Sequence, residues 1–245
     1  MIWTTAASTA KRVIRQLRRD PRTVALLVAV PTLLLILVRY AFDSQPGVFQ
    51  RAGLPLVGIF PLVSMFLVAS ISMLRERRSG TLERLMALPT SKFGLLVGYA
   101  VAFGVVAIVQ SIAVLSVAVL ALDLDIAGPI WLAIVVAVAN ALLGMSMGLF
   151  FSAFAHTEFQ AIQFMPAFIL PQFLLCGLLV SRSAMARPLE LLSNLLPMTY
   201  AYDALRAVAD EAQPGGDLAV DAAITVAMGL VALAAGSLTL PRRTP

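Results

Sequence analysis

Arg75-Glu76-Arg77-Arg78-Ser79-Gly80-Thr81-Leu82-Glu83-Arg84-Leu85-Met86-Ala87-Leu88-Pro89 separates two apolar runs, Leu54 to Leu74 and Phe93 to Leu122. Each run reaches the roughly 20 residues that carry a helix across ~30 Å of hydrocarbon, so the charged stretch reads as a loop between two membrane spans. Gly80 breaks the helix leaving the first span, and Pro89 ends the next. Between them Leu82, Leu85 and Met86 share one helical face, with Glu83 and Arg84 elsewhere. A helix this short is marginal alone in water, so its apolar face needs something to pack on. Lipid headgroups beneath the loop would serve, and so would a partner protein docked on it.

Outward from this loop the same pattern recurs. Spans are expected at 23–42, 54–74, 93–122, 129–154, 161–180 and 222–240, six in all within a transmembrane domain 23–240. Composition agrees: 60% of the 245 residues are hydrophobic and 13% charged, against roughly 25% charged in soluble domains. Mean hydropathy is +0.92. Pro31, Pro61, Pro166 and Pro171 fall inside the runs, where neighbouring helices can satisfy the carbonyls that proline frees. Residues 1–22 place Trp3, Ala6, Ala10, Ile14 and Leu17 at helical spacing. Lys11, Arg12, Arg15, Arg18, Arg19 and Arg22 lie largely on other faces, which describes a basic amphipathic helix on a membrane surface. The run after it is too long for a signal peptide, so no cleavage is expected.

Thirteen Lys and Arg fall on one side of this topology: six before the first span, five from Arg75 to Lys92, and Arg242 with Arg243. The other side has five, Arg39, Arg51, Arg182, Arg187 and Arg206, and most of the acids. The positive-inside rule then puts the N-terminus, the 76–90 loop and the 241–245 tail in the cytoplasm. Segment 181–218 is too polar for a span, yet Leu191, Leu192, Leu195 and Leu196 interrupt it, so a hairpin dipping into the outer leaflet is expected. The basic residues follow the spans, which argues against nucleic acid as the reason for the +5 charge.

The run E-R-R-S-G-T-L-E-R-L-M-A-L-P-T-S resembles the first cytoplasmic loop of type-2 ATP-binding cassette (ABC-2) permeases, where it forms the coupling helix. P-Q-F-L-L-C-G-L-L-V and L-L-S-N-L-L-P-M-T-Y-A-Y-D-A-L-R, from Pro171 and Leu191, are similar to that family's fifth span and the hairpin after it. The N-terminal helix is similar to its connecting helix. The resemblance implies an all-α polytopic membrane protein of the ABC-2 exporter fold. It also implies a coupling helix within 76–90 that meets a separate cytoplasmic ABC ATPase subunit, and a second permease subunit, identical or related. Glu76, Arg77, Arg78, Thr81, Leu82, Glu83, Arg84, Leu85 and Met86 would form that dock. Glu83 and Arg84 would fix it electrostatically while Leu82, Leu85 and Met86 fill a groove in the partner.

No G-x-x-x-x-G-K-[ST] loop occurs in the sequence, so ATP and Mg would be held by the partner, with no cofactor expected on this chain. Gly144-Met145-Ser146-Met147-Gly148 matches G-x-S-x-G, but inside an apolar helical run and with the sole histidine, His156, about 15 Å further along. The same Gly144 and Gly148 form G-x-x-x-G, which lets helices pack closely. Catalysis is therefore not expected. The single Cys176 excludes an internal disulfide.

Gln110, Asn140, Gln163 and Gln172 lie within spans, where polar groups are costly and face protein or a pathway. Bonding between helices and contact with a passing substrate both fit them. The absence of Asp, Glu or Lys deep in any span disfavours a proton-coupled carrier. Phe, Leu, Val and Met outweigh two Trp and four Tyr, which suits a hydrophobic drug or lipid better than a sugar polymer. The expectation is an export permease of the bacterial plasma membrane, in contact with membrane lipid. A partner-independent carrier or channel is the alternative.

Overall fold

The computed structural model describes residues 2–87 and 91–239; the side chains of Glu83, Met86 and Ala87 lie outside the described residues. The tail, 241–245, lies outside them too. The described chain is all-helical: α1 Ile2–Arg19, α2 Pro21–Ala41, α3 Pro46–Arg78, α4 Thr81–Ala87, α5 Lys92–Ala121, α6 Ile130–Phe151, α7 Glu158–Leu175, α8 Arg187–Ser193, α9 Pro197–Asp210 and α10 Gly216–Leu238. A single 3-10 turn, Arg182–Ala184, precedes α8. Five helices, α2, α3, α5, α6 and α10, are long and apolar enough to cross a membrane. Helix α7, counted as a span from sequence, is not among the five. It carries Glu158, Gln160, Gln163 and Gln172 within eighteen residues.

Helix α3 is the axis of the bundle, with 67% of its most apolar window buried against 17% for α2 and 22% for α10. Its closest neighbour is α6. A Cβ at Gly144 would overlap the carbonyl of Leu62, and one at Gly148 the carbonyl of Phe66. Both partners step by four residues in the same sense, so the two helices run in parallel and touch backbone to backbone over a full turn. Lipid tails are as apolar as leucine, so close packing of this kind is what drives helices together in a membrane.

Helix α1 spends its small-residue face inside the protein. Thr5, Ala6, Thr9, Ala10 and Val13 are buried, and a Cβ at Gly98 of α5 would meet the Ala6 carbonyl at 2.7 Å. Ala6 and Ala10 therefore pack on α5, where the sequence pattern placed them on lipid. Hydropathy alone does not separate these two environments. Trp3 remains 79% exposed, while Ile14 and Leu17 pack at the edge of the buried cluster.

The loops gather at two ends. At one end, Asp20 caps α2 through Thr23, Arg75 pairs with Glu158, and α4 links α3 to α5. At the other, Gln50 bonds the backbone of Asp123 and Asp125, and Ala127 and Gly128 donate to the carbonyls of Ala209 and Val208. Within the 181–218 segment, α9 buries Met198, Thr199, Ala201, Tyr202, Ala204, Leu205 and Val208, so it is an integral part of the bundle.

Candidate coupling site

The last turn of α3 carries Arg75, Glu76, Arg77 and Arg78. These residues do not act together. Glu76 is 8% exposed, and its carboxylate accepts both guanidinium nitrogens of Arg12 from α1, with Nη2 at 3.2 Å from Oε2. The same guanidinium stands 6.0 Å from the centre of the Tyr99 ring on α5. One ion pair thus joins α1, α3 and α5. Glu76, expected on the partner's surface, is instead an internal strut. A buried carboxylate demands a cation within reach, and Arg12 supplies it.

Arg75 projects the other way and donates to Glu158 at the start of α7, at 2.9 and 3.2 Å. The hydrogen-bonded guanidinium holds the Glu158 carboxyl below the usual carboxylate range. Both side chains are exposed, so the pair fixes geometry more than it adds stability. Arg77 differs again: its Nε and Nη2 are buried and have no hydrogen-bond partner among the described residues. A guanidinium in that state is short of an acceptor.

The chain then turns through Ser79 and Gly80. Gly80 adopts φ +69, a left-handed conformation that glycine takes without a Cβ penalty, and the turn lets α4 fold back. The hydroxyls of Ser79 and Thr81 bond each other at 2.9 Å. On α4, Leu82 is 4% exposed and joins a cluster with Ala10, Val13, Met73, Leu95 and Tyr99, while Leu85 packs against that cluster. The face expected to fill a partner's groove therefore seals the chain's own core. Period 3.6 shows that an apolar face exists but not what covers it. Arg78 and Arg84 are exposed, so the outward surface of the site is basic. The side chains of Glu83 and Met86, also expected at the dock, lie outside the described residues, as do Leu88, Pro89 and Thr90. Ser91 restarts the chain by capping α5 through the Gly94 amide at 3.1 Å.

The four polar span residues separate in the same way. Gln110 is fully buried, and its Nε2 donates to the Leu27 carbonyl and to Ser64 Oγ, both at 2.8 Å, tying α5 to α2 and α3. Asn140 Nδ2 donates to the Ala201 carbonyl at 3.0 Å, tying α6 to α9. Gln172 accepts from the Met198 amide at 3.3 Å and donates to the Phe168 carbonyl. Gln163 alone is exposed, on α7 beside exposed Phe159 and Ile162. Ser146 donates within its own helix to the Leu142 carbonyl at 2.8 Å.

Sequence reading missed both the Arg12–Glu76 clasp and the Arg75–Glu158 pair. The partners are 64 and 83 residues apart, so only opposite charges near predicted span ends could have signalled them.

Residues 6–209 match the family described as ABC-2 type transporter. Among curated proteins the chain is 29% identical over 139 residues to ABC transporter G family member 20 of Dictyostelium discoideum, 57% of this chain and 19% of that protein. It is 30% identical over 122 residues to "Probable multidrug ABC transporter permease YbhR" of Escherichia coli K12, 50% of this chain and 33% of that protein. The matched stretches thus cover less than half of either relative. The family match takes in α1 from its second turn, the clasp, the α4 turn, the parallel α3 and α6 pair, and α9 to within one residue of its end. The chain belongs to the ABC-2 type transporter family.

Proposed function

We propose that this chain is the membrane subunit of a bacterial export system, with ATP and Mg bound by a separate cytoplasmic ATPase. Its cargo would be a hydrophobic small molecule, such as a drug or antibiotic, or a lipid. The observation that carries the reading is the mounting of α4, a short helix whose apolar side is locked into the core while Arg78 and Arg84 face outward beside it. A helix so anchored transmits a push from outside without melting. Arg78 and Arg84 would meet carboxylates of the ATPase, and the partly shielded Arg77 would take a third acceptor there. In this reading Leu82 and Leu85 hold the lever, and the arginines receive the force.

Transport across a bilayer by this route requires six spans, both termini in the cytoplasm, and α7 as the fifth crossing. The exposed side of α7 presents Gln163 among Phe159, Ile162 and Leu170. A glutamine facing lipid is costly, so a second permease subunit would cover that side and Gln163 would border the pathway. The multidrug label of the bacterial relative favours a hydrophobic drug as cargo. ATP binding in the partner would then bias two states of the paired bundles by its differential affinity for them.

The test is co-purification with a cytoplasmic ABC ATPase co-expressed with the chain, followed by transport in sealed vesicles. Arg78→Glu with Arg84→Glu should abolish both association and ATP-driven transport at unchanged yield. Undiminished association in that variant, or transport by this chain alone without ATP, would overturn the reading.

A further inference from the structure

We propose that the basic face of α1 is a binding surface for anionic phospholipid headgroups, so that the chain holds acidic lipid at the start of its first span. No Asp or Glu precedes Asp20, while Lys11, Arg12, Arg15, Arg18 and Arg19 all fall within α1. Arg12 is neutralised by Glu76. Lys11, Arg15, Arg18 and Arg19 are exposed and form no ion pair among the described residues. Asp20, the nearest acid, is occupied as the cap of α2, accepting from the Thr23 amide at 3.1 Å and its hydroxyl at 2.6 Å. Four cations thus stand together without an internal counter-charge.

Their shape and position select the ligand. Ser8, Lys11, Arg12, Arg15, Gln16 and Arg19 line an open recess of about 440 Å³, large enough for a phosphate-bearing headgroup. Arginine forks match phosphate oxygens in pairs, and the Gln16 amide adds a neutral donor at the rim, while the Ser8 hydroxyl donates to the Thr5 carbonyl at 2.9 Å. Arg15, Arg18 and Arg19 lie within about 9 Å, along the helix, of Pro21, where an apolar span begins. That is headgroup depth, and clusters of four or more basic residues immediately beside a span bind acidic lipid in preference to zwitterionic lipid. An acidic protein surface would satisfy the charge as well; the place of the cluster beside the span, at headgroup depth, selects lipid. The inference needs only that α2 crosses the bilayer, and it holds whatever cargo is moved.

The whole chain is reconstituted in phosphatidylcholine vesicles carrying trace spin-labelled phosphatidylglycerol or phosphatidylcholine, and the motionally restricted fraction is measured for each. The wild type should retain phosphatidylglycerol at least fivefold more strongly, roughly the effect of one basic residue at the surface. That preference should shrink in concentrated salt, and Arg15→Gln, Arg18→Gln, Arg19→Gln and Lys11→Gln combined should bring it towards unity. A lysine variant of the three arginines should keep most of it. Equal retention of the two lipids by the wild type, or a preference that survives both salt and the glutamine variant, overturns the proposal. A glutamine variant that keeps the preference but loses its ATPase assigns the face to a protein instead. If the glutamine variant is not produced, salt dependence in the wild type and retention in the lysine variant decide the question.

Discussion

Replacing Glu76 by Ala would leave the Arg12 guanidinium without its counter-ion between α1, α3 and α5. Removing one partner of a fully buried ion pair costs about 3–5 kcal/mol. Here the Arg12 side chain keeps 26% of its exposure and can reach water, while that of Glu76 keeps 10%, so the loss should fall to about 2 kcal/mol. The strain should appear first where α1 is held least. Beyond the pair, the first turns of α1 rest on α5 through small residues, Ala6, Thr9 and Ala10, which bury little area each, and Val13, Ile14 and Leu17 follow nearer its end. In purified chain, trypsin should therefore cut at Lys11 and Arg15 faster in Glu76→Ala than in wild type, and the thermal transition should fall by several degrees. Arg12→Ala should behave alike, and the double variant should cost clearly less than the two single losses added together. Strict additivity, or unchanged proteolysis of Glu76→Ala, would refute the assignment of Glu76 as the strut that seats α1.

Three further outcomes follow from the same contacts. Gly148→Leu should destabilise the bundle by about 3 kcal/mol or prevent its production, because the added Cβ would strike the Phe66 carbonyl, which cannot move aside; stability in detergent equal to wild type would contradict the parallel α3 and α6 contact. Leu82→Asp should lower yield and stability more than Arg84→Glu does, the reverse of a groove-filling role, as thermal unfolding of both variants would show. Burial outweighs the attraction of Arg182 at 2.6 Å and pushes the Asp203 carboxyl from 3.8 up to about 6. Folding therefore favours its protonated form. That stability is fully present below about pH 4 and is lost as pH rises through about 6, and Asp203→Asn should flatten the slope in a plot of thermal stability against pH.

Five of the spans and the polar break between α3 and α5 were legible because hydrocarbon imposes length and polarity so strictly that a single chain carries the signal. The direction of each amphipathic face was not. Ala6, Ala10, Leu82 and Leu85 all obey helical spacing, yet lipid, a partner and the chain's own α5 are equally apolar and leave the same pattern. Side chains whose role depends on one distant partner were illegible for a related reason. Gln110 and Gln163 look alike in sequence, but one donates two hydrogen bonds between helices and the other is exposed. Glu158 likewise carries no local sign of its pairing with Arg75, 83 residues away in sequence. What could be read without the fold was the glycine pair, since small residues four apart in an apolar helix have few other uses.

The arrangement around α3 gives the bundle a mechanical logic. This one helix has 33 residues and runs about 50 Å, from the end where Gln50 bonds the α5–α6 loop to the end where α4 begins. At the α4 end its last turn is gripped from two sides, by Arg12 of α1 through Glu76 and by Glu158 of α7 through Arg75. In the proposed coupling role, a displacement of α4 would therefore act on α1, α3 and the start of α7 together. Further along, the backbone contact of α3 with Gly144 and Gly148 passes the motion to α6, and Asn140 passes it to α9 by its bond to the Ala201 carbonyl. Pro55 and Pro61 interrupt the hydrogen-bond ladder of α3 between the gripped turn and the hairpin end, and that is where such a helix bends. The far end can thus respond with a different rotation from the near one. In the proposed coupling role, a push on this short helix would reach the opposite end of the bundle through packed side chains and backbone, which compress little.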